Sequence, residues 1–218
     1  MQPVMSRGWR RSSMEYWHDI AIDRSWAILQ KLRSSIDFVL IGGWAVYLLT
    51  GGLKSKDIDI ITQPDGLTKL RTLAGLRKNP RLRKYECTVE GISVDVYVPF
   101  YSKLAVPVEE VEREVFSIEG FRIPRPEILL ILKQQAELER KESLKGLKDR
   151  IDIVSLLIND RLDLNVYLRF LEKHHLANYR DRLTEVVRDA RQEFGYLGIR
   201  DLRRVKLIKR SILGKLLR

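Results

Sequence analysis

A single cysteine, Cys87, stands among 218 residues. One thiol cannot build an internal disulfide framework, so a reducing cytoplasm is the expected compartment and Cys87 reads as an ordinary strand residue. Long apolar runs are missing too. The most extended, residues 38–49, is interrupted by glycines and falls short of the roughly 18 to 20 residues of a membrane span. The charge in Met1 to Arg11 has no apolar block behind it, which argues against a secretory signal. The adjacent pair His174 and His175 would point in different directions on a helix, a poor arrangement for holding a metal. Acid is in deficit: 29 Asp and Glu face 40 Lys and Arg, a net charge of +11. From Leu197 to Arg218 eight bases meet Asp201 alone. Such a surplus favours a polyanionic partner, nucleic acid before membrane, although a charge-rich helical surface also accounts for it.

What is present begins with Phe38 to Ile41, a short apolar run ending at Gly42 and Gly43. Two glycines let the backbone turn tightly and lie against a ligand. Trp44 to Leu49 reads as a short helix after that turn, whose free N–H groups and positive dipole end suit a phosphate. Gly51 and Gly52 stop it. Residues 57–61 then run Asp57-Ile58-Asp59-Ile60-Ile61, and as a strand they put both acids on one face. Carboxylates roughly 7 Å apart at an effective dielectric near 20 repel by about 2.4 kcal/mol. Mg2+ offsets that repulsion, because it binds through one or two carboxylates plus a substrate's phosphates, and paired ions about 3.5 to 4 Å apart clamp an in-line displacement. An exposed sheet face with water screening both acids is the other account of Asp-x-Asp. The glycine turn and short helix ahead of it favour the metal.

With these elements in this order the chain resembles the polymerase β-type nucleotidyltransferases, whose signature is an apolar residue, Gly, then Gly or Ser, a short spacer and an acid–apolar–acid strand. Here Ile41-Gly42-Gly43 is followed by thirteen residues and then Asp57-Ile58-Asp59-Ile60. Many members have Ser where this chain has Gly43, so a hydroxyl contact to phosphate is missing. The resemblance implies an α+β fold, with an N-terminal mixed sheet and flanking helices and a C-terminal helical domain. It implies two Mg2+ ions held by Asp57 and Asp59, an NTP whose phosphates lie on Gly42 and Gly43, and a third acid on a neighbouring strand. Asp95, in the alternating run Ile92 to Val98, shares a face with Ser93 and Tyr97 and takes that third position. There it would complete the metal site and accept the proton of an attacking hydroxyl.

The remaining pattern fills in the frame. Residues 13–33 read as a helix capped at Ser12 or Ser13, with Trp17, Ile20, Ile28 and Leu32 on one stripe and Ile22, Trp26 and Leu29 on another. Gln63-Pro64-Asp65-Gly66 signals a turn before a helix bearing Leu67, Leu70, Leu73 and Leu76 and ending near Asn79-Pro80. Two hairpins are expected, Arg83 to Val89 with Ile92 to Val98 about Glu90-Gly91, and Val111 to Ile118 with Phe121 to Ile123 about Glu119-Gly120. Pro124-Arg125-Pro126 closes this half, which gives an α/β domain over 1–126 and a helical domain over 127–218. Beyond residue 157, helices are expected over 164–173, 176–194 and 199–213. The last bears an apolar stripe flanked by Arg203, Arg204, Lys206, Lys209 and Arg210.

Two helical segments after Pro126 carry further chemistry. Lys133, Ala136 and Arg140 share one face, and Asp149 and Asp152 share another after Lys148. By themselves they would make an interhelix salt-bridge lattice. They also resemble the Lys-x-x-Ala-x-x-x-Arg and Lys-Asp-x-x-Asp segments of abortive-infection (AbiEii-like) toxin nucleotidyltransferases. That likeness implies that Lys133 holds triphosphate oxygens and Asp149 orients or deprotonates the nucleophile, with Arg140 and Lys148 on the nucleotide. The activity implied is Mg-dependent transfer of a nucleoside monophosphate to an acceptor hydroxyl. RNA, the tRNA 3′ end in particular, is the expected acceptor, and a neutralising antitoxin protein is a further expected partner. Transfer to a small molecule such as an aminoglycoside, transfer to a protein, or a silent RNA-binding module of the same fold are the alternatives.

Overall fold

The computed structural model describes residues 13–217, with side chains from residue 19 onward. The segment Met1 to Arg11, the cap at Ser12 or Ser13 and the side chain of Trp17 lie outside that description. Helix α1 (Ser13–Ser35) leads into strand β1 (Val39–Ile41), helix α2 (Gly42–Thr50) and strand β2 (Ile58–Ile61). Next come α3 (Pro64–Ala74), the edge strand β3 (Arg77–Asn79), β4 (Lys84–Val89), β5 (Ile92–Tyr97), α4 (Val108–Arg113), β6 (Val115–Ile118) and β7 (Phe121–Pro124). From there every described element is helical: α5 (Pro126–Arg140), α6 (Leu144–Leu157), α7 (Leu164–Lys173), α8 (Ala177–Asp189), α9 (Gln192–Tyr196) and α10 (Leu202–Leu216).

The strands form one mixed sheet in the order β3-β4-β5-β2-β1-β7-β6. Both expected hairpins form, and each turns on a left-handed Glu-Gly pair: φ is 48° and 84° at Glu90 and Gly91, and 49° and 78° at Glu119 and Gly120. Two positive φ values in a two-residue loop match the twist of the flanking strands. Strand β2 runs antiparallel to β1 and parallel to β5, and this register sets Ile41 beside Asp59 and Asp59 beside Asp95. The sheet and the later helices share one hydrophobic core, which runs from Ile28 and Leu29 in α1 through Leu40, Ile60 and Val94 to Ile153, Tyr167 and Leu216.

Four boundaries differ from the sequence expectation, one of them that of α10, which runs Leu202–Leu216 behind the Asp201 cap instead of 199–213. Helix α3 stops at Gly75, whose left-handed φ of 59° ends it before Asn79-Pro80, and Arg77–Asn79 pairs instead with Lys84–Glu86 as an edge strand. Val111 belongs to α4 rather than to a strand. Pro107 caps that helix, Glu109 and Glu110 lie in its first turn, and Val108 and Val111 are buried one turn apart. The helix expected over 176–194 is broken into α8 and α9, because Ala190 leaves the helical region with ψ of 115°.

Candidate active site

The floor of the site lies where β1 turns into α2. Gly42 has φ of 68°, and a Cβ placed on it would meet Asp59 Oδ2 at 2.1 Å. A side chain is therefore excluded twice, by backbone conformation and by the carboxylate packed beneath it. No side chain caps the start of α2, so the N–H groups of its first turn remain available to a ligand. Asp59 and Asp95 lie side by side on parallel strands. Burial, and then the charge of Asp95, push the Asp59 carboxyl up to about 6, with Lys133 pulling the other way and Asp57 adding to the rise. Asp95 is 26% exposed and its Oδ2 lies 2.5 Å from Lys84 Nζ. Burial disfavours the Lys84 ammonium, but its bonds to Asp95 and Glu86 outweigh burial and hold it above the ordinary lysine value. Asp57 precedes β2 and is half exposed, with its Oδ2 3.4 Å from Lys145 Nζ.

Helices α5 and α6 supply the opposite wall. Lys133, 8% exposed, places Nζ 2.7 Å from Asp152 Oδ2 and 3.2 Å from Asp149 Oδ1. Arg140 grips Asp149 with two bonds, Nε to Oδ2 at 2.7 Å and Nη2 to Oδ1 at 3.1 Å. Lys148 Nζ lies 3.1 Å from Asp152 Oδ2. Burial works against the Lys133 ammonium, yet Asp152 and Asp149 prevail and raise it. Lys148 falls below its ordinary value through burial, with Asp152 opposing and Lys133 adding to the fall. Asp149 is 1% exposed with both oxygens occupied by cations. In this arrangement it holds Lys133 and Arg140.

Floor and wall face each other across a cleft of about 640 Å3 that Gly42, Asp59, Asp95, Lys133 and Arg140 all line. Asp57 opens instead on a neighbouring cleft of about 480 Å3, which shares Lys84 and Asp95 with the first. Gly43, Lys148 and Asp149 line neither. A Cβ on Gly43 would meet Ser55 Oγ at 2.8 Å and Lys148 Nζ at 2.9 Å. The space a serine would need beside α2 is thus taken by a lysine and another serine. Arg81, Arg83, Lys84 and Lys103 also line the main cleft, and the sequence reading passed over all four. The basic run Arg81-Leu82-Arg83-Lys84 was the available signal, but nothing local tied it to the acids of β2 and β5.

Asp57, Asp59 and Asp95 offer only carboxylate oxygen, the donor type of a hard divalent ion such as Mg2+. Burial first, and then the charges of Asp95 and Asp57, raise the Asp59 carboxyl, and a cation would relieve the part that is due to charge. Asp59 and Asp95, paired across β2 and β5, line the same cleft. Among the described residues no three Asp, Glu, His or Cys side chains converge closely enough to hold an ion together.

This mixed sheet with flanking helices is a nucleotidyltransferase-like fold. A protein from H. pylori assigned provisionally to the nucleotidyltransferases aligns over 91% of this chain and 96% of its own, with a TM-score of 0.50 and 16% identity. JHP933 from Helicobacter pylori aligns over 95% of both chains, at 17% identity and a TM-score of 0.49. ANT(2")-Ia, solved in complex with adenylyl-2"-tobramycin, covers 75% of this chain and 98% of its own, with a TM-score of 0.45 and 13% identity. That last likeness is too weak to bear on the acceptor. No protein-family model and no curated protein matches the chain.

Proposed function

We propose that the chain is a divalent-cation-dependent nucleotidyltransferase that moves a nucleoside monophosphate from an NTP to a hydroxyl of RNA, with the tRNA 3′ end as acceptor. One observation carries the reading: an acidic floor at Asp59 and Asp95 faces a cationic wall at Lys133 and Arg140 across a single cleft of about 640 Å3. Asp59 and Asp95, with Asp57 at their edge, would hold the cation. When bound, it neutralises charge gathering on the phosphoryl oxygens. The acceptor oxygen forms a bond to the α-phosphorus as the bond to the β-phosphate bridging oxygen breaks, and pyrophosphate leaves. Arg140, 42% exposed and fixed by Asp149, reaches the β- and γ-phosphate oxygens, and Lys133 adds its charge from behind. The start of α2 at Gly42, the glycine that lines the cleft, cradles phosphate. Asp95 takes the hydroxyl's proton, because Asp149 lines neither cleft.

The choice of RNA rests on α10. Arg203, Lys206 and Arg210 recur at three and four residues on its outward face, and no salt bridge among the described residues engages them. The toxin-like resemblance adds a neutralising antitoxin protein as partner, and the single cysteine makes the cytoplasm the compartment. No described helix is long and apolar enough to cross a membrane. Incubation with labelled NTPs, Mg2+ and separate pools of cellular RNA, protein and aminoglycoside tests the proposal. Label in the RNA pool that vanishes in Asp59→Asn is the expected result. Label only in aminoglycoside or protein would refute the acceptor, and label in no pool would refute the enzyme.

A further inference from the structure

Lys84 lies on the strand next to Asp95, 13% exposed, with Nζ 2.5 Å from Asp95 Oδ2 and 3.3 Å from Glu86 Oε1. Asp95 is not its only anchor. Glu86 follows two residues later on the same strand and so projects to the same face, and its Oε1 also accepts from Asn79 Nδ2 at 2.9 Å. Lys84 and Asp95 border both clefts, which makes the pair the partition between them.

A carboxylate edge that already holds an ammonium at 2.5 Å has no place for a divalent ion. Mg2+ sits at about 2.0 to 2.1 Å from its oxygens, and two cations crowded on one oxygen repel steeply. Asp95 keeps Oδ1 for an ion shared with Asp59. Charge leads to the same count, since Asp57, Asp59, Asp95 and Glu86 together with the ammoniums of Lys84 and Lys145 leave two negative charges, which a single divalent ion balances.

We propose that Lys84 stands in for a second metal ion: the site takes one divalent cation, held by Asp59 and Asp95 with Asp57 at its edge, and the ammonium supplies the other positive charge at Asp95. The inference rests on the nucleotidyltransferase reading and replaces the two ions implied by the family resemblance with one. Titration of the full chain with Mn2+ alone, counting bound ion from the electron paramagnetic resonance of free Mn2+, tests it. One ion per chain is expected for the wild type and for Lys84→Arg, and two for Lys84→Met. The second should disappear again in Lys84→Met/Asp95→Asn. Lys84→Gln provides a second neutral variant should the methionine disturb folding, which circular dichroism checks. Two ions on the wild type, or one on both neutral variants, overturns the inference and leaves the transferase reading standing. No ion on the wild type at millimolar Mn2+ overturns the transferase reading itself.

Discussion

Asp59 shows how one residue can be costly to the fold and useful to the site. Its carboxyl rises from 3.8 to about 6, so between those values the folded chain holds a proton that the unfolded chain releases. Stability from this group is complete below pH 4 and is lost as pH rises through 6. The shift corresponds to on the order of 1–3 kcal/mol. Asp59→Asn should therefore raise the melting temperature at pH 7.5 by a few degrees and flatten its dependence between pH 4 and 6, while abolishing nucleotide transfer. Thermal unfolding across that range, paired with a transfer assay, checks both. Cation binding needs the ionised carboxylate, so Mn2+ affinity of the wild type should fall as pH drops below about 6. Gly42→Ala provides the complementary test. A left-handed φ and a Cβ at 2.1 Å from Asp59 Oδ2 should together cost about 2–4 kcal/mol in urea unfolding, and Mn2+ affinity should fall with it.

At the scale of elements, α5 and α6 are tied by a buried lattice in which each member has a different accessibility. Asp149→Ala would leave Lys133 and the guanidinium of Arg140 without their shared partner, and removal of one side of a buried pair costs about 3–5 kcal/mol. Arg140 is half exposed but its partner Asp149 is buried, so Arg140→Gln should cost about 1–3 kcal/mol, less than Asp149→Ala, while raising KM for NTP tenfold or more. A chemical-denaturation series set beside steady-state kinetics would separate the two effects. Equal stability losses in both variants would mean that Arg140 serves the fold and not the nucleotide. The lattice read from the sequence as an alternative to a phosphate site is present, and it is what aims Arg140 at the cleft.

For the whole molecule, charge distribution governs the partner. If the outward face of α10 binds RNA, reversing Arg203, Lys206 and Arg210 to Glu should lower the slope of log K against log salt by about 2 to 3, since each phosphate contact contributes roughly 0.7 to 0.9. Transfer to a dinucleotide too short to reach α10 should be unchanged. Filter binding at several salt concentrations measures the first and product analysis the second. A slope unaltered by the triple reversal would place RNA elsewhere.

Sequence alone determined what is local. The Ile41-Gly42-Gly43 turn, the Asp57-Ile58-Asp59-Ile60 run, both Glu-Gly hairpins and the helices from Pro126 onward follow from backbone preference and side-chain period, and each needs only a few neighbouring residues to form. Tertiary structure decided what is brought together. Parallel pairing of β2 with β5 sets Asp95 beside Asp59, β4 delivers Lys84 to Asp95, and α5 packing on α6 fastens Lys133 to Asp152. It also set Asp57 on a separate cleft and left Asp149 lining neither. Such partners are far apart along the chain, and strand register and helix packing, which no single segment encodes, determine which of them meet.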